Sequence, residues 1–224
     1  DLYWFMQVLT AALPEGAVCV AGNGTACVTL FQAGIVKKHQ RIFWNSGCAS
    51  MGYDLPAALG AAFGNKGREV VCLAGDGSLQ MNLQELATLA HHRLPIKLFY
   101  LNNDGYSSIK QTQDNFFEGR RLGVDGKTGV GFPDILKIAQ AYGLPSVQIG
   151  NHDRLEESVR QVLETPGPVV CEVKLIPDYI FSPKLSSEKK PDGRILSKPL
   201  EDMYPFLSRE EFRGNMLVPP LPED

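Results

Sequence analysis

The chain has 224 residues, 44% of them hydrophobic and 21% charged, with a formal net charge of −3. That is enough for one globular domain with an appendage, and for a core that needs no disulfides. The near-neutral charge gives no footprint for nucleic acid or an anionic membrane, and no run is long and apolar enough to span a bilayer.

Leu2 to Leu13 reads as a helix, with Leu2, Phe5, Met6, Leu9 and Leu13 on one face and Pro14 just past its end. The chain opens at Asp1 without an initiating methionine or a secretory signal, and so reads as a piece cut from something longer. Ala17 to Ala21 is the first strand, followed by the turn Gly22-Asn23-Gly24-Thr25. Asn23-Gly24-Thr25 also matches a glycosylation sequon, which we set aside for want of that signal. Arg41 to Trp44 is a second strand, Asn45 to Gly52 a loop of small residues, and Tyr53 to Phe63 an Ala-rich helix that tolerates Pro56 only in its first turn.

The centre of the chain is Glu69 to Tyr106. Val70 to Ala74 is a short apolar run of the kind a buried parallel strand requires. Leu79, Leu83, Leu86, Ala87 and Ala90 then recur at helical spacing, and Pro95 precedes a further apolar strand, Ile96 to Leu101. A right-handed crossover between parallel strands brings the turns Gly75-Asp76-Gly77 and Asn102-Asn103-Asp104-Gly105 to one carboxyl edge of the sheet, where open α/β sheets bind ligands.

Tyr106 to Gln113 continues as a helix or turn, and Glu118 to Val130, rich in glycine and charge, reads as a mobile loop over the site edge. Within it Gly126-Lys127-Thr128 has the ending of a P-loop. Arg121 stands where the first glycine is required and no apolar strand precedes it, so an ATP site is rejected. Pro133 to Tyr142 is an amphipathic helix stopped by Gly143, Ser146 to Ile149 a strand, Asp153 the cap of a helix carrying Leu155, Val159, Val162 and Leu163, and Pro168 to Leu175 the last strand. Six strands alternate with helices, which is an α/β, doubly wound, mostly parallel six-stranded sheet with helices on both faces. Residues 1–176 form that domain. From Pro177 onward the composition shifts to a Pro-rich C-terminal tail, 177–224, with a capping box at Ser208-Arg209-Glu210-Glu211. Tyr204, Phe206, Leu207, Phe212 and Met216 are costly to expose, so the tail is expected to dock on a surface, as a lid over the site or as a subunit contact. The five cysteines (Cys19, Cys27, Cys48, Cys72 and Cys171) form no C-x-x-C pair and read as reduced thiols, mostly buried, in a cytoplasmic protein.

Asp76 offers a carboxylate and Asn103 a neutral amide oxygen to a small cation of the Mg²⁺ type, which favours few protein ligands and the phosphates of a bound molecule. Gly77 and Ser78 stand where a helix begins, so their amides can face an anion. Each turn has a plain alternative. Gly-Asp-Gly is a common turn, and Asn-Asp-Gly closes hairpins well. The pair is more specific, because both turns follow apolar strands, a helix separates them, and twenty-five residues (Ser78 to Asn102) lie between Gly77 and Asn103.

That pair resembles the cofactor signature of thiamine diphosphate (ThDP) enzymes, Gly-Asp-Gly followed some two dozen residues later by Asn-Asn. The likeness extends over most of residues 1–175, the diphosphate-binding domain of that family, and within it over acetolactate synthase-like proteins. It implies the ThDP-binding fold, with metal ligands Asp76, the Asn103 side chain and the Gly105 carbonyl. It further implies cofactor contacts from Asn23, Gly24, Thr25, Gly75, Gly77, Ser78, Tyr106 and Ser107. Gly47 to Tyr53 resembles the loop that holds the middle of ThDP. Met51 would prop the cofactor into its bent shape, Ala49 would accept from its amino group, and Ser50 lies between them. Tyr106 to Gln113 with Phe116-Phe117 resembles the acetolactate synthase segment after Asn-Asn, but Ser108 and Thr112 replace a larger methionine and tryptophan, which implies a wider or more polar substrate pocket.

The implied activity is decarboxylation of a 2-oxo acid and transfer of the remaining fragment to a second carbonyl, with Mg²⁺ and ThDP as cofactors and FAD only through an absent domain. No catalytic residue is expected in this chain, because the family's proton relay uses a glutamate on a separate pyrimidine-binding domain. That domain or subunit is the expected partner, within a homodimer or tetramer. The alternatives are part of a non-ligating ThDP decarboxylase, or a non-catalytic ThDP-binding module.

Overall fold

A computed structural model describes residues 1–45 and 47–220; Ser46, in the small-residue loop, lies outside them. The apolar runs become β1 (Val18–Ala21), β2 (Arg41–Phe43), β3 (Val70–Gly75), β4 (Ile96–Asn102), β5 (Ser146–Ile149) and β6 (Val169–Lys174). They form one sheet in the order β2-β1-β3-β4-β6-β5, parallel throughout. Parallel strands must be covered on both faces, which is why β3 and β4 read as continuous hydrophobic runs.

The covering helices are α1 (Leu2–Ala12), α2 (Thr25–Ala33), α3 (Asp54–Gly64), α4 (Asp76–Gln80), α5 (Glu85–His92), α6 (Ser107–Phe116), α7 (Ile135–Ala141) and α8 (Leu155–Glu164). Leu55 and Ala58 of α3, Leu79 of α4, Leu86 and Leu89 of α5, and Ile135 of α7 share a core with Val20, Cys72, Leu98 and Tyr100. Side chains alternate along a strand, so Phe99 faces the other side, where Phe5 of α1 meets it edge-on at 5.7 Å. There α1 packs between α2 and α8. Asp1 caps α1 by accepting from Trp4 N at 3.1 Å. Pro56 falls in the first turn of α3, where a missing N–H costs nothing.

The chain leaves β1 toward β2 on one side and returns to β3 on the other. The winding therefore reverses between β1 and β3, and the turns that follow these two strands open into the resulting crevice.

Three local expectations are corrected. The continuous helix expected from Leu79 to Ala90 is two, α4 and α5. Between them Met81 N and Asn82 N bond three residues back to Ser78 and Leu79, and Asn82 turns its side chain to the Gly52 carbonyl at 2.6 Å. The hairpin alternative for Asn-Asp-Gly fails, because the next element is helix α6. Asp153 is not the cap of α8. Arg154, in left-handed conformation at φ 56°, takes that position, and the Asp153 carboxylate accepts from Asn151 instead.

The chain divides into two compact units, Asp1–Tyr179 and Ile180–Asp224. In the second, β7 (Ser187–Lys189) pairs antiparallel with β8 (Ile195–Ser197), and Ser208 caps α9 (Arg209–Asn215) by accepting from Glu211 N at 3.2 Å. Of the apolar tail residues, Phe212 is buried, Phe206 and Met216 are half-buried, and Tyr204 and Leu207 are exposed. Among the described residues no helix is long and apolar enough to cross a membrane.

One buried cation braces the edge opposite the crevice. Lys97, on β4, donates to the carbonyls of Thr165 and Gly167 beyond α8 and lies 3.4 Å from Glu69. Truncation leaves those carbonyls without their charged donor. We expect Lys97→Ala to lower stability by about 1.5–3 kcal/mol in urea unfolding, with the slope against denaturant unchanged.

Candidate functional site

Parallel pairing sets Gly75 of β3 opposite Leu101 of β4, so the residues after each strand emerge side by side. Asp76 and Asn103 are the result, 2% and 5% exposed. Asp76 Oδ1 accepts from its own neighbour Gly77 N at 2.7 Å. Its Oδ2 reaches across to the other turn and accepts from Asn103 N at 3.1 Å and Gly105 N at 3.0 Å. The two loop tips predicted to share an ion are thus already joined through one carboxylate.

Asn103 Oδ1 stands 3.2 Å from both Asp76 Oδ2 and the Gly105 carbonyl, while Nδ2 donates to Ser107 Oγ. One end of the Asn103 amide therefore stands between the Asp76 carboxylate and the Gly105 carbonyl. Rotating the amide would let its nitrogen donate to both neighbours. A cation seated among the oxygens favours the first orientation, and a bare site favours the second. Burial pushes the Asp76 carboxyl up to about 6, with nearby Asp104 adding to the rise, against the three backbone N–H groups that pull it down. Among the described residues no three His, Cys, Asp or Glu side chains cluster as a metal group. A metal here would rest on one carboxylate, two neutral oxygens and whatever its ligand brings.

A cleft of about 270 Å³ opens over this pair. Asn23, Gly24 and Thr25 form one wall, Gly75 to Ser78 the floor, and Asn103 with Gly105 to Ile109 the far wall, while Met51 enters from the small-residue loop. Thr25, Asp76 and Ser107 each begin a helix, so three helix N-termini meet at the cleft. Unpaired N–H groups and aligned peptide dipoles make that an environment for a polyanion.

Ala49, Ser50 and Thr112 do not line the cleft. Ala49 and Ser50 are exposed and bond within their own loop, Ala49 N to Asn45 O at 2.9 Å and Asn45 Nδ2 to Ser50 Oγ at 3.1 Å. Thr112 lies a turn along α6 from Ser108 and gives its hydroxyl to the Ser108 carbonyl at 3.1 Å. Ser108, by contrast, does line the cleft. Met51 is held by its neighbour, since Gly52 N donates to Ser78 Oγ at 2.9 Å and Gly52 O accepts from Asn82.

Sequence reasoning missed Ile109 as a wall and Asn82 as the anchor of the Met51 loop. It also missed Asp54, which sits in the first turn of α3, where an acid reads simply as complement to the helix dipole. Asp54 is fully buried, with Oδ1 accepting from Leu55 N at 2.9 Å and Oδ2 lacking a hydrogen-bond partner. Burial pushes its carboxyl up to about 6, opposed by the Ser78 hydroxyl and the local backbone. Glu118 to Val130 also differs from the expected mobile loop. Val124 and Asp125 are buried, the Val124 carbonyl accepts from Tyr106 N at 2.9 Å, and Asp125 Oδ1 accepts the Thr128 hydroxyl at 2.9 Å.

Residues 21–173 match the family "Thiamine pyrophosphate enzyme, C-terminal TPP binding domain". The chain belongs to this family. It is 35% identical over 172 residues to acetolactate synthase 2, chloroplastic, of Nicotiana tabacum, covering 75% of this chain and 26% of that protein. It is 31% identical to the acetolactate synthase isozyme 1 large subunit of Escherichia coli K12, over 77% of this chain and 30% of that subunit. The chain therefore spans between a quarter and a third of the length of these relatives. Benzoylformate decarboxylase from Polynucleobacter necessarius shares the fold, with a TM-score of 0.68 at 24% identity over 78% of this chain and 33% of its own.

Two measurements probe the site as built. A Cβ on Gly77 would lie 2.0 Å from Tyr106 Cε1, so Gly77→Ala should cost about 1–3 kcal/mol by overpacking. Tyr106→Ala in the same chain should return part of that loss, and strict additivity in a double-mutant unfolding cycle would contradict the contact. For Asp54 the folded pKa lies above its ordinary 3.8. Its contribution to stability is therefore full below pH 4 and declines as the pH rises through about 6. Asp54→Asn removes that decline, so the variant should gain on wild type by about 2–3 kcal/mol between pH 4 and 7. A constant difference across that range counts against the buried carboxylate.

Proposed function

We propose that the cleft holds the diphosphate of thiamine diphosphate through Mg²⁺ bound by Asp76, Asn103 Oδ1 and the Gly105 carbonyl. On this reading the chain is the C-terminal domain of an acetolactate synthase-like 2-oxo acid carboligase. The observation that carries the reading is the joining of the two loop tips at Asp76, whose Oδ2 accepts from Asn103 N at 3.1 Å and Gly105 N at 3.0 Å, with the Asn103 amide 3.2 Å from both Asp76 Oδ2 and the Gly105 carbonyl. One carboxylate and two neutral oxygens suit a Mg²⁺ that completes its octahedron with phosphate oxygens and water.

Each wall has a part to play. Asn23, Gly24 and Thr25, with the backbone of Ser78, present polar groups to phosphate oxygens, and Gly77, its N–H held by Asp76, leaves room for them by having no side chain. Tyr106 and Ser107 close the opposite side, and Met51 is the apolar prop against the middle of the cofactor. Ala49 and Ser50 stay candidates for contacts above the cleft. A cation among the oxygens would hold Asp76 ionised despite its burial. Bound ThDP supplies the carbanion chemistry, and the protein supplies orientation and charge. Ser108 and Ile109 face the space where a 2-oxo acid would lie, and the Ser108 hydroxyl favours a substrate carrying a hydrogen-bonding group there.

The proton relay belongs to a pyrimidine-binding domain in a homodimeric or tetrameric enzyme, so this chain alone turns over no 2-oxo acid. Titration calorimetry with ThDP and Mg²⁺ tests the site. Wild type should bind, Asp76→Ala should bind at least about 10-fold more weakly, equivalent to roughly 1.4 kcal/mol, and omission of Mg²⁺ should have a similar effect. Equal affinity in wild type and Asp76→Ala would overturn the proposal. Carboligation of pyruvate by the isolated chain would overturn the claim of dependence on a second domain.

A further inference from the structure

Behind the Asn102–Gly105 turn lie two buried charged side chains that the site described above does not use. Glu172, on β6, is 4% exposed and accepts from Asn102 Nδ2 at 2.7 Å and Gln148 Nε2 at 2.5 Å, with Lys174 Nζ 2.8 Å away. Asn102 turns its other end into the turn, where Oδ1 accepts from Asp104 N at 3.0 Å. Lys110, on α6, is also 4% exposed, and it donates to the Asp104 carbonyl at 3.2 Å while standing 3.5 Å from Asp125. Asp104 is the one residue of the turn other than glycine in left-handed conformation, at φ 54°. Its N–H and its carbonyl are therefore each tied to a buried charged group, one through Asn102 and one directly.

We propose that Glu172 and Lys110 are positioning residues that form a two-sided clamp on Asp104 and fix the metal-binding turn before any ligand arrives. Asp104 lies between Asn103 and Gly105, whose N–H groups both reach Asp76 Oδ2 and whose oxygens are two of the ligands proposed for the ion. A left-handed non-glycine residue persists only where its surroundings over-determine it. If the Asp104 peptide turns, Asn103 and Gly105 move apart and both the donors and the ligand oxygens are lost together. The clamp also runs outward. Gln148 carries it to the edge strand β5, and Asp125 carries it to the anchored 118–130 segment, so both elements act on the ion site without touching it. That last consequence rests on the proposed Mg²⁺–ThDP reading, whereas the clamp itself does not.

Amide hydrogen exchange in the 224-residue chain tests the clamp without any cofactor. In Glu172→Leu and in Lys110→Met, exchange at Asn103, Asp104 and Gly105 should quicken at least tenfold while Val71 to Leu73 on β3 keep their protection. Glu172→Gln retains an oxygen for Asn102 and should stay within about twofold of wild type. Glu172→Leu combined with Asn102→Ala should exchange at the turn no faster than Asn102→Ala alone, since Glu172 acts through that amide. Unchanged turn exchange in either single variant overturns the clamp. So does a uniform loss of protection across β4, β5 and β6, which marks a general structural role. Calorimetry with Mg²⁺ and ThDP on the same variants should show at least a tenfold loss of affinity. Wild-type affinity despite a loosened turn refutes its service to the ion. If Asp76→Ala also binds like wild type, the ion-site reading itself fails, and the exchange result still decides the clamp.

Discussion

The carboxylate of Asp76 is the interaction on which the rest of this domain depends. It is buried at the end of one strand and collects N–H groups from its own turn and from the turn of the neighbouring strand. A carboxylate so far from water is unfavourable unless paired or hydrogen-bonded, and its burial raises the carboxyl's pKa against the pull of three backbone donors. Positive charge beside the carboxylate would offset that burial, and among the described residues none of the side chains lining the cleft is cationic.

Topology makes that arrangement possible. The register Gly75↔Leu101 fixes which residues follow the two strands side by side, and the reversal of winding between β1 and β3 opens space beside them. The same reversal delivers α2 to the crevice with its N-terminus forward, next to those of α4 and α6. A sheet whose order did not reverse would cover this edge with a crossover, and the buried acid would have no opening.

The sheet was legible because parallel strands buried on both faces announce themselves as short apolar runs. Val70 to Ala74 and Ile96 to Leu101 could be bounded within a residue, and Ser146–Ile149 outright. Asp76 and Asn103 were legible from their spacing together with the family likeness, which also pointed to the Asn23 turn and Met51. What escaped was set by contacts distant in sequence. The break after α4 comes from Asn82 reaching Gly52 thirty residues back. Nothing local distinguishes a buried Asp54 from an exposed acid in a helix's first turn, and the anchoring of Asp125 depends on Lys110 from another element. Thr112 shows the converse. Its place in the motif implied a pocket residue, while its hydroxyl donates to the Ser108 carbonyl, a contact no spacing announces.

Buried ion pairs and networks are weak evidence for stability, because desolvation cancels much of the attraction, and apolar replacements are often as stable. Their value at this site is geometric. The Mg²⁺ proposed for this site would lose water reluctantly and tolerate little departure from octahedral angles, so a single carboxylate could not compensate for misplaced oxygens by adding charge. Placement must come from the scaffold, and loops are less accurate scaffolds than strands or helices. The fold meets that demand by tying the one loop that carries two of the three oxygens to a strand on one side and to a helix on the other, through charges of opposite sign. An acid alone behind the turn would draw the Asp104 N–H side inward, and a base alone would draw its carbonyl. Only the pair holds both peptide planes that flank Asp104, the one shared with Asn103 through the N–H and the one shared with Gly105 through the carbonyl.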